Sequence, residues 1–337
     1  MSKSVNFIKT ENRPFCKWFS VVVLPLVTLL CAGMVSCNEE KSYEKEMYKK
    51  VFYLLSGNDH TYTETYSLNK EESVRYFSIG CGGSLSSSDA VTITLEPDVV
   101  LLESYNKSNF DIDYGAYAKL LPASRYEISS YIVNFPANSA DQYVKVPVKV
   151  RPLGLSPDTI YFIPIAIKSV TKYEVNPEKY NVLYRVTIEN DYAEQKTLTY
   201  YTRNGTIKNQ TTGEESALTG NKIMQPLTSD KVRIFAGNIA QSQTSTVDDI
   251  EKNAIVLQIN SDHSVSFSQY GTIEVEALSK PNFNRYSVEK DLRGKDEHYF
   301  YLYYQYRTEV TPVIGDTPAT YSPWSEITET LKKVETN

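Results

Sequence analysis

From Val51 onward apolar residues recur at every second position, a spacing that gives a β-strand one buried and one solvated face and that no helix can use. Ala90–Glu96 places Val91, Ile93 and Leu95 on one side and Thr92, Thr94 and Glu96 on the other. Tyr143–Val150 sets four valines, Val144, Val146, Val148 and Val150, against Tyr143, Lys145, Pro147 and Lys149. Pro147 has no N–H to give to a ladder, so this strand is expected at a sheet edge or with that flank facing solvent. Tyr161–Ile167 and Val182–Ile188 repeat the pattern, which returns later in Val232/Ile234, Ile255/Leu257/Ile259, Val265/Phe267 and Ile273/Val275. Asn204-Gly205, Thr212-Gly213, Gly237-Asn238 and Ser261-Asp262 read as turns between the later strands. One segment breaks the period. Tyr114, Tyr117, Ala118 and Leu121 fall at helical spacing, which predicts a short helix over Asp113–Leu121 ended by Pro122.

The predicted class is therefore all-β. A chain of 337 residues, 41% hydrophobic, can bury two cores, and 27 tyrosines beside only 14 glycines and 15 prolines exclude a collagenous or linker-like polymer. The polar stretch 189–196 divides the chain into a domain over residues 51–190 and another over 195–337.

The amino end reads as an address. Lys3, Lys9, Arg13 and Lys17 precede the apolar run Trp18–Leu30, which is too short to span a bilayer and ends in the small residues Ala32 and Gly33. Met34-Val35-Ser36-Cys37 resembles a bacterial lipobox, which implies removal of residues 1–36 and acylation of Cys37, with Met34 departing from the usual leucine. Acyl chains at about 0.8 kcal/mol per buried methylene hold a soluble domain on a membrane. Residues 37–50 form a charged tether, and Asn38-Glu39-Glu40-Lys41 resembles the acidic signal that sends lipoproteins to the outer face in Bacteroidetes. The expected location is the outer membrane, lipid-anchored and exposed at the cell surface, with its periplasmic face as the alternative. Processing removes four basic residues and one acidic one, taking the net charge from −6 to −9. No nucleic-acid footprint remains. Cys81 would be the one thiol left beside the acylated cysteine, in Gly80-Cys81-Gly82-Gly83, and is expected to be structural.

Ser104-Tyr105-Asn106, Asp113-Tyr114, Leu121-Pro122-Ala123-Ser124-Arg125-Tyr126, the valine-alternating strand, Tyr161-Phe162-Ile163-Pro164-Ile165 and Asn176-Pro177 occur in an ordered series. Over about residues 48–190 this series resembles the immunoglobulin-like amino-terminal domain of unknown function found in Bacteroidetes surface lipoproteins of polysaccharide-utilisation systems, also ahead of endo-β-N-acetylglucosaminidase-type domains. Residues 195–335 resemble its companion carboxy-terminal domain. The resemblance implies an immunoglobulin-like β-sandwich followed by a second β-sandwich or a flattened β-barrel.

Tyr299–Tyr306 divides into Tyr299, Tyr301, Tyr303 and Gln305 on one face and Phe300, Leu302, Tyr304 and Tyr306 on the other. A row of exposed rings offers π-faces to the C–H groups of a sugar, whereas packing on both sides would consume them. Tyr321 and Trp324, in Tyr321-Ser322-Pro323-Trp324, are the other candidate platform. His60, His263 and His298 lie far apart, and no metal or cofactor motif occurs. Asp248/Asp249 are expected to cap the turn Ile250–Lys252, and Asp111/Asp113 to sit at the amino end of the predicted helix. Asp158-Thr159-Ile160 matches the O-glycosylation motif of exported proteins in these bacteria, making Thr159 a candidate for modification. The expected role is non-catalytic glycan binding at the surface, beside an outer-membrane transporter or hydrolase. A glycoside hydrolase or accessory subunit of one, and an adhesin or structural partner that binds protein, are the alternatives.

Overall fold

The computed structural model describes residues 48–242, 245–313, 315 and 317–335; the signal segment 1–36 and Cys37 lie outside the described residues. Eleven strands make the first half: β1 (Val51–Leu54), β2 (Thr61–Ser67), β3 (Ser73–Cys81), β4 (Val91–Pro97), β5 (Lys119–Leu120), β6 (Tyr126–Ile128), β7 (Ile132–Phe135), β8 (Tyr143–Val150), β9 (Tyr161–Val170), β10 (Glu174–Val175) and β11 (Asn181–Glu189). They form two sheets, ordered β10-β1-β3-β8-β6 and β2-β11-β9-β4-β7, with β5 joining β9. The alternating residues do what their period requires: Phe52, Phe77, Ile79 and Val148 from one sheet meet Ile93, Ile165, Tyr184 and Ile188 from the other in a single core. The Tyr66 and Tyr184 hydroxyls pair at 2.7 Å inside it, and Tyr66 donates to the Val148 carbonyl of the facing sheet at 3.2 Å. Cys81 is buried in the same core.

Of the two placements expected for β8 the edge is not found, since β3 and β6 flank it, while β6 reaches only to Val148 and leaves the flank of Pro147 without a partner strand. The helix lies upstream of the predicted one, as α1 (Val99–Phe110), capped by the Asp98 carboxylate on the Leu101 N–H at 3.3 Å. Residues 114–116 make only a 3₁₀ turn. The cause is Asn106, whose buried amide accepts from the Ala118 N–H at 2.8 Å and donates to the Ala118 carbonyl at 2.9 Å, holding residues 117–121 extended beside β9. Asp111 thus closes a helix instead of opening one, and Asp113 stands at the N-cap position of the 3₁₀ turn without a side-chain capping bond. Leu102 of α1 packs with Phe162 and Leu183, which explains why β9 and β11 are apolar on both faces.

The second half contains β12 (Thr199–Asn209), β13 (Glu215–Pro226), β14 (Lys231–Phe235), α2 (Val247–Asn253), β15 (Ala254–Ile259), β16 (Val265–Gln269), β17 (Glu274–Ala277), β18 (Arg285–Lys290), β19 (Asp296–Arg307), β20 (Glu309–Thr311), β21 (Thr320–Tyr321) and β22 (Ser325–Lys333). One antiparallel sheet runs β16-β15-β14-β13-β12-β22-β19, and the far edge of β19 is shared by β18 and β17. A bridge between Ser264 and Arg285 brings its two ends together, so the second domain is a nearly closed barrel rather than a sandwich. Asn204-Gly205, read as a turn, lies inside β12. A Cβ on Gly205 would fall 2.0 Å from the Thr328 carbonyl oxygen, so only glycine admits the β22 backbone at this point. Opposite it Glu329 is buried in the barrel, bonded to Lys222 at 3.1 Å and to the Tyr304 hydroxyl at 2.9 Å. Asp249 closes a capping box with Thr246 at the start of α2, one turn earlier than the expected cap.

Candidate functional site

β19 separates its two faces cleanly. Phe300, Leu302, Tyr304 and Tyr306 are buried in the barrel, while Tyr299, Tyr301, Tyr303, Gln305 and Arg307 line its outside and are half-buried. The reading in which packing consumes both faces is therefore set aside for this strand. Eight residue steps separate Tyr299 from Arg307, a row of about 27 Å at ~3.4 Å per residue.

The row is held by its neighbours. The Tyr299 hydroxyl donates to Glu297 at 2.6 Å, Tyr301 to Glu289 at 2.8 Å and Tyr303 to Glu326 at 2.7 Å. These contacts keep the phenols protonated: the carboxylate bond raises the Tyr299 and Tyr303 pKa values, and burial followed by the Glu289 bond raises that of Tyr301. Lys332 holds the Glu297 carboxyl below its ordinary range through a 2.6 Å bond. Cations lie over the rings as well, Arg285 at 4.3 Å from the Tyr301 centroid, Lys332 at 5.7 Å from Tyr299 and Lys280 at 5.5 Å from Tyr303. Tyr299 and Tyr301 stack at 5.9 Å.

Trp324 and Tyr321 join this row through one residue. Arg307, the next outward position of β19, places its guanidinium 4.7 Å from both ring centroids, and Glu274 fixes it from the other side with a 2.6 Å bond. All five tyrosine and tryptophan candidates thus belong to one surface. Beside it runs a polar shelf: Thr328 faces Tyr303 and Thr330 faces Tyr301 across the ladder, with Thr206 and Asn204 beyond them on β12. Extending the alternation by two residues would have found Arg307. Arg285 and Lys332 carry no local signal, because they reach the row only through strand register, and Lys280 reaches it from the loop between β17 and β18.

Thr159 lies apart, half-buried in the loop before β9, with its carbonyl accepting from Gln195 at 3.4 Å. Its neighbour Asp158 grips both terminal nitrogens of Arg233, one of them at 2.7 Å. That guanidinium is fully buried and also lies 4.6 Å from the Tyr270 ring centroid. Among the described residues, no three His, Cys, Asp or Glu side chains gather as a metal site would.

Two family models match the chain, one described as an N-terminal domain over residues 43–174 and one described as C-terminal over residues 180–332. No curated protein matches it. Among solved structures, a Bacteroides ovatus protein of unknown function is 17% identical with TM-score 0.64, covering 85% of this chain and 94% of its own. A multidomain protein from the same species is 16% identical with TM-score 0.62, over 83% and 93% of the two chains. An auxiliary nutrient binding protein from Bacteroides thetaiotaomicron is 16% identical with TM-score 0.57, over 82% and 93%. Matched by both models in chain order over most of its length, the chain belongs to the family that pairs this amino-terminal domain with this carboxy-terminal one, and the solved structures share its two-domain fold.

Proposed function

We propose that this protein is a non-catalytic, acyl-anchored protein of the outer membrane that binds glycan at the cell surface and hands it to a neighbouring transporter or hydrolase. The observation that carries the reading is the outward aromatic row of β19, ending at Tyr321 and Trp324 and bordered by threonines. A sugar chain laid along the row meets ring surface for its C–H groups, with carboxylates and hydroxyls for its rim. The rings are held in place by their ionic partners, so little side-chain freedom is lost on binding. The lipobox at Cys37 supplies the anchor. A structural neighbour described as an auxiliary nutrient binding protein is in keeping with this role.

Affinity-gel retardation of residues 38–337 tests the reading. Polysaccharide in the gel should slow the wild type, and Tyr301→Ala or Trp324→Ala should weaken binding about fivefold, the scale of one lost aromatic contact. Unchanged migration of both variants would remove the site from β19. Reducing sugar released from the same polysaccharides would make the protein a hydrolase instead.

A further inference from the structure

The outer face of the β10-β1-β3-β8-β6 sheet presents a second set of tyrosines that differs from the β19 row in its lack of internal partners. Tyr53, Gly80 and Tyr143 lie in one row across β1, β3 and β8. Tyr76 pairs with Pro147 in a parallel row about 14 Å along the strands. A Cβ on Gly80 would fall 2.5 Å from Cζ and 2.7 Å from Oη of Tyr53, so the end of that ring lies over Gly80. Tyr76 and Tyr143 are 45% and 46% exposed. The hydroxyls of Tyr53, Tyr76 and Tyr143 have no hydrogen-bond partner among the described residues, in contrast to the three phenols of β19. Lys145 stands 5.8 Å from the Tyr143 centroid, with no carboxylate in ion-pair range among the described residues.

A depression of about 220 Å³ opens beside Tyr53, lined also by Leu55, Ser56, Asn176 and Lys179. The Ser56 Oγ is shielded from bulk solvent and meets no partner.

We infer that this face is a second glycan platform, binding a pyranose chain across Tyr53, Gly80 and Tyr143 with its end in the depression beside Tyr53. The inference rests on the reading that the protein binds glycan, and it places a site on the first domain that is independent of β19. The chemistry favours sugar over a protein partner. The core of a protein interface is a continuous, water-excluding apolar patch, whereas these rings are set apart by Gly80, Ser78 and Lys145 and keep their phenols open. A pyranose has matching character, with C–H groups on its faces and hydroxyls at its rim.

The test uses residues 38–337, which include every described residue, in gels carrying a neutral β-glucan, polygalacturonate or mucin glycans. Gly80→Ala keeps all three tyrosines and meets only a movable ring, so it should displace Tyr53 and weaken binding about tenfold without altering the circular-dichroism spectrum. Tyr53→Ala/Tyr143→Ala should match or exceed that loss, and carries the test if Gly80→Ala fails to fold. Wild-type retardation that survives both changes overturns this site and leaves glycan binding at β19 intact. Retardation lost in these variants but kept in Tyr301→Ala and Trp324→Ala establishes the first domain as the site. A wild type retarded by none of the gels, or capture of a purified protein partner that Gly80→Ala abolishes, overturns the inference; the former removes the glycan reading as well.

Discussion

His298 shows how one side chain couples the barrel to pH. Its Nδ1 lies 2.5 Å from the Tyr286 hydroxyl; a neutral ring with its proton on Nε2 accepts from the phenol there, and protonation forces the contact to reverse, with Nδ1–H donating to the phenol oxygen. Burial, followed by the charge of Lys333, holds the imidazole below its ordinary value of 6.5, with Asp296 opposing. A depressed folded value means that the unfolded chain binds the proton more readily in the window between the two values. The contribution is therefore complete above about pH 6.5 and is lost as pH falls through the folded value. Urea midpoints measured from about pH 7 down to about pH 5 should fall less steeply in His298→Gln than in the wild type. Equal slopes would show that other groups set the acid response. The tyrosines of β19 were legible as a face because alternation needs only neighbouring residues. That Glu289 and Glu326 accept hydrogen bonds from two of them was not, since register across strands decides it, whereas Glu297 lies two residues from Tyr299 on the same strand.

At the scale of elements, the displaced helix separates local signal from tertiary override. Tyr114, Tyr117, Ala118 and Leu121 have helical spacing, yet Lys119 and Leu121 donate their N–H groups to the carbonyls of Ile160 and Phe162, both at 2.8 Å. Asn106 secures this by meeting both backbone groups of Ala118, a contact between an upstream helix and a later strand that no periodicity encodes. Asn106→Ala should strand the Ala118 N–H and carbonyl in a buried site and cost about 2 kcal/mol in urea denaturation, with faster amide exchange at Ala118. A loss below about 0.5 kcal/mol, the scale of an ordinary surface change, would mean that the pairing with β9 holds the segment without it. The strands themselves were read well. β4, β8, β9 and β11 fall where the apolar alternation placed them, within a residue or so at most ends. Gly205 was missed because a glycine demanded by a crossing backbone has the same local appearance as one demanded by a turn.

At the scale of the molecule, the two domains are joined by more than a linker. Asn190 donates to the Thr228 carbonyl at 2.7 Å and to that of Lys231 at 3.1 Å, and Gln195 reaches back to the Pro157 carbonyl at 2.8 Å. Arg233 of β14 is the strongest of these links, fully buried and gripped by Asp158 from the first domain. The pair was invisible in the sequence, where Asp158 suggested only a turn or a modification motif. The Arg233 guanidinium is buried but the Asp158 carboxylate is 22% exposed, so Asp158→Asn, which weakens a charged hydrogen bond at the junction, should cost about 2 kcal/mol. Trp324 is the sole tryptophan after residue 36 and lies in the second domain, so its fluorescence follows that domain while circular dichroism follows both. In residues 38–337 the two signals should unfold together in the wild type, as one cooperative unit requires. In Asp158→Asn they should part, with the domains melting at separate midpoints. Coincident curves and a shift under about 1 kcal/mol would assign the coupling to Asn190 and Gln195, leaving Arg233 neutral in effect because Gln225 and Tyr270 suffice to hold it.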